Sequence, residues 1–308
     1  MKLNVLASLA ISAALVSTSM NVSADGGFYG SLRIGLSYLD LDDGLDSELN
    51  FENYASRLGF TGETDIDSGL TAFGKVEFGV DTSFRDNGDG AFSTRHAYIG
   101  LKGDFGSLLV GQTFHTWYNT IIAPVDQPWW GSCNGCLSYT FFSENGLTYT
   151  NSFGEVVTSA TLYMRPEAGN SFQDDVDGIE VGASFPVGNM TLGLGFQDWD
   201  NGTEPTLGMV ISGNLSDINY AANITKQDAA NSGDVDTTGL DLFLSKGNYY
   251  LDVGGIDYSE TLIGATVGYT HTLGRNTITW FELQGVNSGL DNADTSIAAR
   301  AAIKYDWN

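Results

Sequence analysis

The sequence predicts an all-β protein, a closed, sixteen-stranded antiparallel up-and-down β-barrel standing across a membrane, with one external loop folded inward. Three observations carry this expectation. After residue 24, short segments alternate apolar and polar side chains along almost the whole chain. The connections between them alternate short and long. One connection, about 114–138, is long, aromatic and without a period of 2, and such a loop in a regular β protein is either disordered or functional. Its apolar content argues against disorder.

Residues 1–24 read as a cleaved signal peptide. Lys2 gives a basic start, 5–16 an apolar run too short to span a bilayer as a helix, and Val22-Ser23-Ala24 a small-residue cleavage site. Residues 25–308 then form a single domain, since no Pro- or Gly/Ser-rich linker interrupts the pattern. The formal net charge is −25, or −26 without Lys2, which excludes a basic nucleic-acid footprint and fits a surface that holds cations or one kept soluble in salty water.

The first segment, 28–38, places Phe28, Leu32, Ile34, Leu36 and Tyr38 on one face and Ser31, Arg33, Gly35 and Ser37 on the other. The same period fits 51–63, 70–82, 94–102, 106–113 and 146–153. In 155–166, Val156, Ala160, Leu162 and Met164 oppose Ser159, Thr161 and Arg165. In 177–187, Ile179, Val181, Ala183, Phe185 and Val187 oppose Glu180, Gly182 and Ser184. The pattern continues through 190–198, 205–214, 217–227, 238–246, 248–257 and 261–273, weakens in 276–287, and returns in 295–308. There Ala301, Ile303, Tyr305 and Trp307 oppose Arg300, Ala302, Lys304 and Asp306.

Alternation alone also fits a soluble exported β-sandwich, such as a carbohydrate-binding protein or adhesin using the loop tryptophans as a sugar platform. The connections favour the barrel. Short turns such as 65–69, 103–106, 187–189, 214–217, 246–248 and 274–276 interleave with long acidic ones such as 41–50, 84–92, 167–178, 198–205, 227–237 and 287–295. Consecutive hairpins, short at one end and long at the other, describe an outer-membrane barrel. Closure leaves no unpaired edge, as hydrocarbon demands. Tyr38, Tyr98, Tyr269 and Trp307 fall near strand ends, where interfacial aromatics belong. A barrel of this strand number has a lumen too wide for side chains to fill, so it carries water, and an inward loop narrows it. The expectation is a pore.

Catalysis finds no support, and the protein is expected not to be an enzyme. His96, His115 and His271 are scattered, with no paired-histidine metal motif and no nucleophile elbow. No cofactor is expected. Acidic clusters at Asp40, Asp42 and Asp43, or at Asp174, Asp175 and Asp177, are read as solvated loop charge, with weak Ca²⁺ binding as the alternative. Cys133 and Cys136 are the only cysteines, and in an exported protein a bridge between them inside the central loop is expected.

Three stretches, YASRLGFTGETDIDSGLTAFGKVEF (54–78), STRHAYIGLKGDFGSLLVGQ (93–112) and the terminal AAIKYDWN, resemble the general porins of the Gram-negative bacterial outer membrane. The resemblance implies a homotrimeric, non-specific diffusion channel among outer-membrane lipid and lipopolysaccharide. Its third external loop would form an eyelet, with wall arginines facing acids on that loop. By position, Arg57 and Arg95 match the wall arginines, and alternation turns both inward if Leu58, Phe60, His96 and Tyr98 take the lipid side. Arg33 and Lys75 share the inward parity, with Glu77 as a neighbouring carboxylate. On the loop, the constriction residues are Trp117, Asp126, Trp129 and Trp130.

Two departures bear on selectivity. Tyr149-Thr150-Asn151-Ser152 has a threonine where family members show an arginine, and Pro128-Trp129-Trp130-Gly131-Ser132 replaces an acid by tryptophan, leaving Asp126 the only loop carboxylate. The expected transport is passive diffusion of small hydrophilic solutes and ions, with a weak cation preference set by the acidic outer loops.

Overall fold

The computed structural model describes residues 25–40, 47–66, 69–82, 91–129, 134–137, 142–164, 176–199, 204–229, 235–287 and 295–307. The signal-peptide expectation for 1–24 lies outside these residues. The segments run β1 (Asp25–Asp40), β2 (Glu48–Asn53), β3 (Arg57–Ile66), β4 (Leu70–Val80), β5 (Phe92–Gly103) and β6 (Gly106–Phe114). After a helical turn at Tyr118–Ile122 come β7 (Phe142–Phe153), β8 (Val156–Met164), β9 (Val176–Val187), β10 (Met190–Trp199) and β11 (Thr206–Leu215). The chain closes with β12 (Ile218–Gln227), β13 (Thr237–Lys246), β14 (Tyr249–Asp257), β15 (Thr261–Gly274), β16 (Thr277–Asn287) and β17 (Thr295–Trp307).

Apart from β2 with β3, each strand pairs antiparallel with its sequence neighbour, and β1 pairs with β17 from Gly30 opposite Trp307 to Asp40 opposite Ile297. The barrel is therefore closed. The seventeen segments make sixteen staves, because β2 and β3 pair with the two halves of the same β1 and form one interrupted strand. The expected strand 51–63 thus breaks at Tyr54–Ser56. Ala55 adopts a φ of 60°, outside the extended region, and the lost ladder is replaced locally. The Arg33 amide donates to Ser56 Oγ at 2.9 Å, and the Ser56 amide donates to Asn53 Oδ1 at 3.0 Å. The break turns Tyr54 inward, edge-on to Trp280.

The two faces are inverted relative to a soluble protein. Aliphatic and aromatic rows are exposed, including Leu32, Leu36, Phe60, Ile99, Leu240, Val267, Leu283 and Ile303. The polar face instead holds buried side chains such as Thr161, Glu180, Gln197, Thr225, Asp241 and Asp252. The exposed aliphatic rows cover no second sheet, so the soluble-sandwich alternative is not supported. They suit contact with lipid hydrocarbon, and the strands supply the crossing. Val267→Arg, at the middle of β15, is expected to destabilise the membrane-inserted barrel by about 2–4 kcal/mol, measured by reversible urea unfolding in lipid vesicles.

Two expectations about the polar face need correction. His96 and Tyr98 do not take the lipid side. The register shifts in β4–β5, where Glu77 faces His96 but Phe78 faces Thr94, so Arg95 is an inserted residue. A β-bulge of this kind points successive side chains to one side, and it resets the parity of the strand beyond it. His96 is buried, 3.9 Å from Glu77, and Tyr98 lies opposite Lys75. Nor is the interior uniformly wet. Val210, Ala221, Phe243 and Tyr250 pack with Trp117, Tyr118, Ile121, Ile122, Val125 and Cys136 into an apolar core.

Candidate functional site

The connection between Phe114 and Phe142 does not run structureless. Thr116 to Ile122 form a short helical segment with a π-helical turn at Tyr118–Ile122. Its aromatic and β-branched residues favour strands intrinsically, so packing decides its shape. The seat is a strip without side chains. A Cβ on Gly195 would stand 2.6 Å from Ile121 Cγ1, and one on Gly208 would stand 2.7 Å from Trp117 Cη2. Both glycines lie on the polar face of β10 and β11, and there the backbone must be bare for a tryptophan to approach. Trp117, Ile121, Ile122 and Val125 have no exposed surface.

A segment lying against a sheet face has no ladder partners for its own N–H groups, and those groups must be paired. Wall acids accept them. Glu180 on β9 accepts from the Trp117 amide at 2.8 Å and sits 2.7 Å from His115 Nδ1. Asp241 on β13 accepts from the Gly135 amide at 2.7 Å, and Asp252 on β14 accepts from Asn134 Nδ2 at 2.6 Å. Glu282 on β16 accepts from the Trp129 amide at 2.6 Å and from the Tyr250 hydroxyl at 2.7 Å. Where the accepting carboxylate is ionised, such a bond is about twice as strong as a neutral one. Tyr118 donates to Asp126 at 2.9 Å. Burial, then the adjoining Asp126 carboxylate, pushes that hydroxyl up from its ordinary range, so it remains a donor.

Across from this seam stands a basic wall. Glu77, 2% exposed, is ringed by Arg95 Nε at 2.8 Å, Lys75 Nζ at 3.2 Å and Arg57 Nη1 at 3.8 Å. Tyr29 also donates to it, at 2.6 Å. One carboxylate thus holds three cations, leaving the cluster net positive. Arg33 stands apart from this ring. Its Nε donates to Ser31 Oγ at 2.9 Å, and its guanidinium lies 5.6 Å from the Trp129 ring centre. Lys304 Nζ is 5.2 Å from the same ring and 2.7 Å from Asp306. Trp129 itself stacks on Trp280 at 4.8 Å, so cations and indoles fasten the loop to β1, β16 and β17.

Of the expected residues, Arg57, Lys75, Glu77 and Arg95 come together, and Arg33 joins Trp129. Asp126 is held by Tyr118. Trp117 is wholly buried and packs the loop down instead of facing open space. Trp130 and Cys133 lie outside the described residues, while Cys136 is disulfide-bonded. Asp40 ends β1 and Asp177 lies in β9, while Asp42, Asp43, Asp174 and Asp175 lie outside the described residues. Among the described residues no His/Cys/Asp/Glu group could hold a metal ion. Lys304, Tyr29 and the seam acids were not singled out in the sequence. Their inward parity was the one available signal, and it does not distinguish them from other polar residues.

Comparisons with known proteins agree with this geometry. An anion-selective porin from Comamonas acidovorans superposes with a TM-score of 0.73 at 16% identity, over 92% of this chain and 100% of that one. Outer membrane porin C of Rahnella aquatilis is 33% identical over 120 residues, 38% of this chain and 34% of its own length. A monosaccharide porin of a Halomonas species is 25% identical over 199 residues, 56% of this chain and 51% of its own length. The chain thus matches about a third to a half of the length of these two curated relatives. The family model for Gram-negative porins matches residues 9–302. With the closed barrel and the bordering acid seam and basic wall already in place, that match decides the matter: the chain belongs to the Gram-negative porin family.

Proposed function

We propose that this protein is an outer-membrane diffusion channel through which small hydrophilic solutes and ions pass down their gradients, narrowed by the loop at about 114–138. The observation that carries the reading is the row of wall acids, Glu180, Asp241 and Glu282, accepting backbone N–H groups of that loop. A segment tied at both ends of its length to the polar face of a closed barrel takes up part of the bore. The remaining passage runs along Arg57, Lys75 and Arg95. Family and fold point to a channel in preference to an enzyme, and the work is passive. We further propose a homotrimer embedded in outer-membrane lipid and lipopolysaccharide.

Selectivity follows from two charge layers in series. The acidic outer connections attract cations over a Debye length, about 30 Å at 0.01 M salt but only about 3 Å at 1 M. The basic wall acts at contact range and is screened less. The weak cation preference is therefore a low-salt property. Planar-bilayer recording tests both claims. Discrete conductance steps are expected, with reversal potentials of cation-selective sign at low salt that shrink or change sign near 1 M. No steps would overturn the channel. A reversal potential indifferent to salt would overturn the two-layer account.

A further inference from the structure

We infer that the cavity beneath the loop, between Pro124 and Gln127 on one side and the polar face of β11–β13 on the other, is a binding site for a neutral monosaccharide. This rests on the channel reading above. The cavity has a volume of about 480 Å³ and opens beside Ser212, Asn219, Ala221, Phe243 and Ser245. That size lies within the range of small-molecule sites, ~300–1,000 Å³. At ~30 Å³ per water it holds a single sugar ring with its hydration.

Its chemistry selects the class. No lining residue carries a charge, although 17% of the chain is charged and the opposite wall is crowded with cations. An ion entering here finds no counter-charge to replace its water. The polar groups are three hydroxyls, Ser212, Tyr220 and Ser245, and two side-chain amides, Asn219 and Gln127, each type able both to donate and to accept. A sugar hydroxyl has the same dual capacity. Behind them Phe243 and Ala221, both buried, give an apolar floor for the C–H face of a ring. Register fixes the group: Ala221 stands opposite Ser212 and Phe243, and Asn219 opposite Ser245.

Position gives the site its direction. Asn219 adjoins the two-residue turn between Leu215 and Ile218, and Ser245 adjoins the turn between Lys246 and Tyr249. Short turns mark the periplasmic end of such barrels. The cavity therefore lies past the loop, on the exit side, where a neutral solute pauses after passing the basic wall.

The test is current noise in planar bilayers, with KCl as carrier and D-glucose added to one side at a time. Native protein is expected to show reversible, saturable blocking events, more frequent with glucose on the periplasmic side. Glucuronate, the same ring with a carboxylate, is expected to give none. The double variant Asn219→Leu with Ser245→Leu should raise the half-blocking glucose concentration about tenfold, equivalent to ~1.4 kcal/mol, with glucose-free conductance unchanged. If that variant does not insert, Gln127→Leu removes a polar group from the loop side and should give a smaller rise in the same direction. A conducting channel without glucose-dependent noise overturns this inference and leaves the channel standing. So do variants that block like native protein, or equal blocking by glucuronate. A protein without conductance overturns both.

Discussion

Glu77→Gln is expected to move the channel's permeability ratio strongly toward anions, the largest selectivity change available from one side chain. The cause is local neutrality. Glu77 is almost fully buried and is the shared partner of Arg57, Lys75 and Arg95. The amide keeps the shape but removes the charge, so three cations face the passage with nothing between them. Their side chains are 19%, 21% and 18% exposed, which places them where a passing anion reaches them. The folding cost is about 1–3 kcal/mol, since the cations lose a charged partner but stay close to water. That is small against a closed barrel of continuous ladders, so insertion should survive. Reversal potentials under a KCl gradient measure the shift, and Glu77→Asp should restore part of it. An unchanged reversal potential would mean that permeating ions do not pass this wall.

The barrel was legible because its determinants are local and repeated. Alternation within Phe28 to Tyr38, or within Ile179 to Val187, encodes a two-faced strand whatever surrounds it. Turn length then encodes the order of the staves. The site was only partly legible, because its determinants are local exceptions. The bulge at Arg95 costs one residue and leaves no composition signal, yet it turns His96 and Tyr98 inward. The break at Ala55 splits an apparently regular strand in the same silent way. Glycines 195 and 208 look in sequence like any strand glycine, and only the loop that occupies them gives them meaning. Arg57 and Arg95 are legible through the resemblance, and Arg33 and Lys75 because inward parity and charge coincide. The seam acids Glu180, Asp241 and Glu282 also combine inward parity with charge, and nothing in the sequence separates them from other inward acids. What sets them apart is a hydrogen-bond partner at least 63 residues away in the chain.

Trp117→Ala should detach the loop while leaving the barrel intact. The indole has no exposed surface, lies over bare Gly208, and packs with Ile121 against β10 and β11. Truncating a buried aromatic costs about 3–5 kcal/mol, from lost transfer energy plus the cavity left behind. A barrel ladder does not depend on this contact, but the loop's seat does. The remaining ties are the wall acids and the Trp129 stack on Trp280, and the acids bind a backbone whose position Trp117 helps to set. The outcome is a loop that samples positions off the wall. Single-channel conductance should become larger on average and noisier, while the shift in gel migration on heating, a measure of the folded barrel, stays near native. Gly208→Val makes the same argument from the opposite side, because its added carbons occupy the space of the indole. Combining it with Trp117→Ala should be less harmful than the two effects added, since the valine partly fills what the alanine empties. Native, steady conductance in Trp117→Ala would show that the acid seam and the Trp129 stack hold the loop without it, and that the apolar core within the barrel is incidental to the pore.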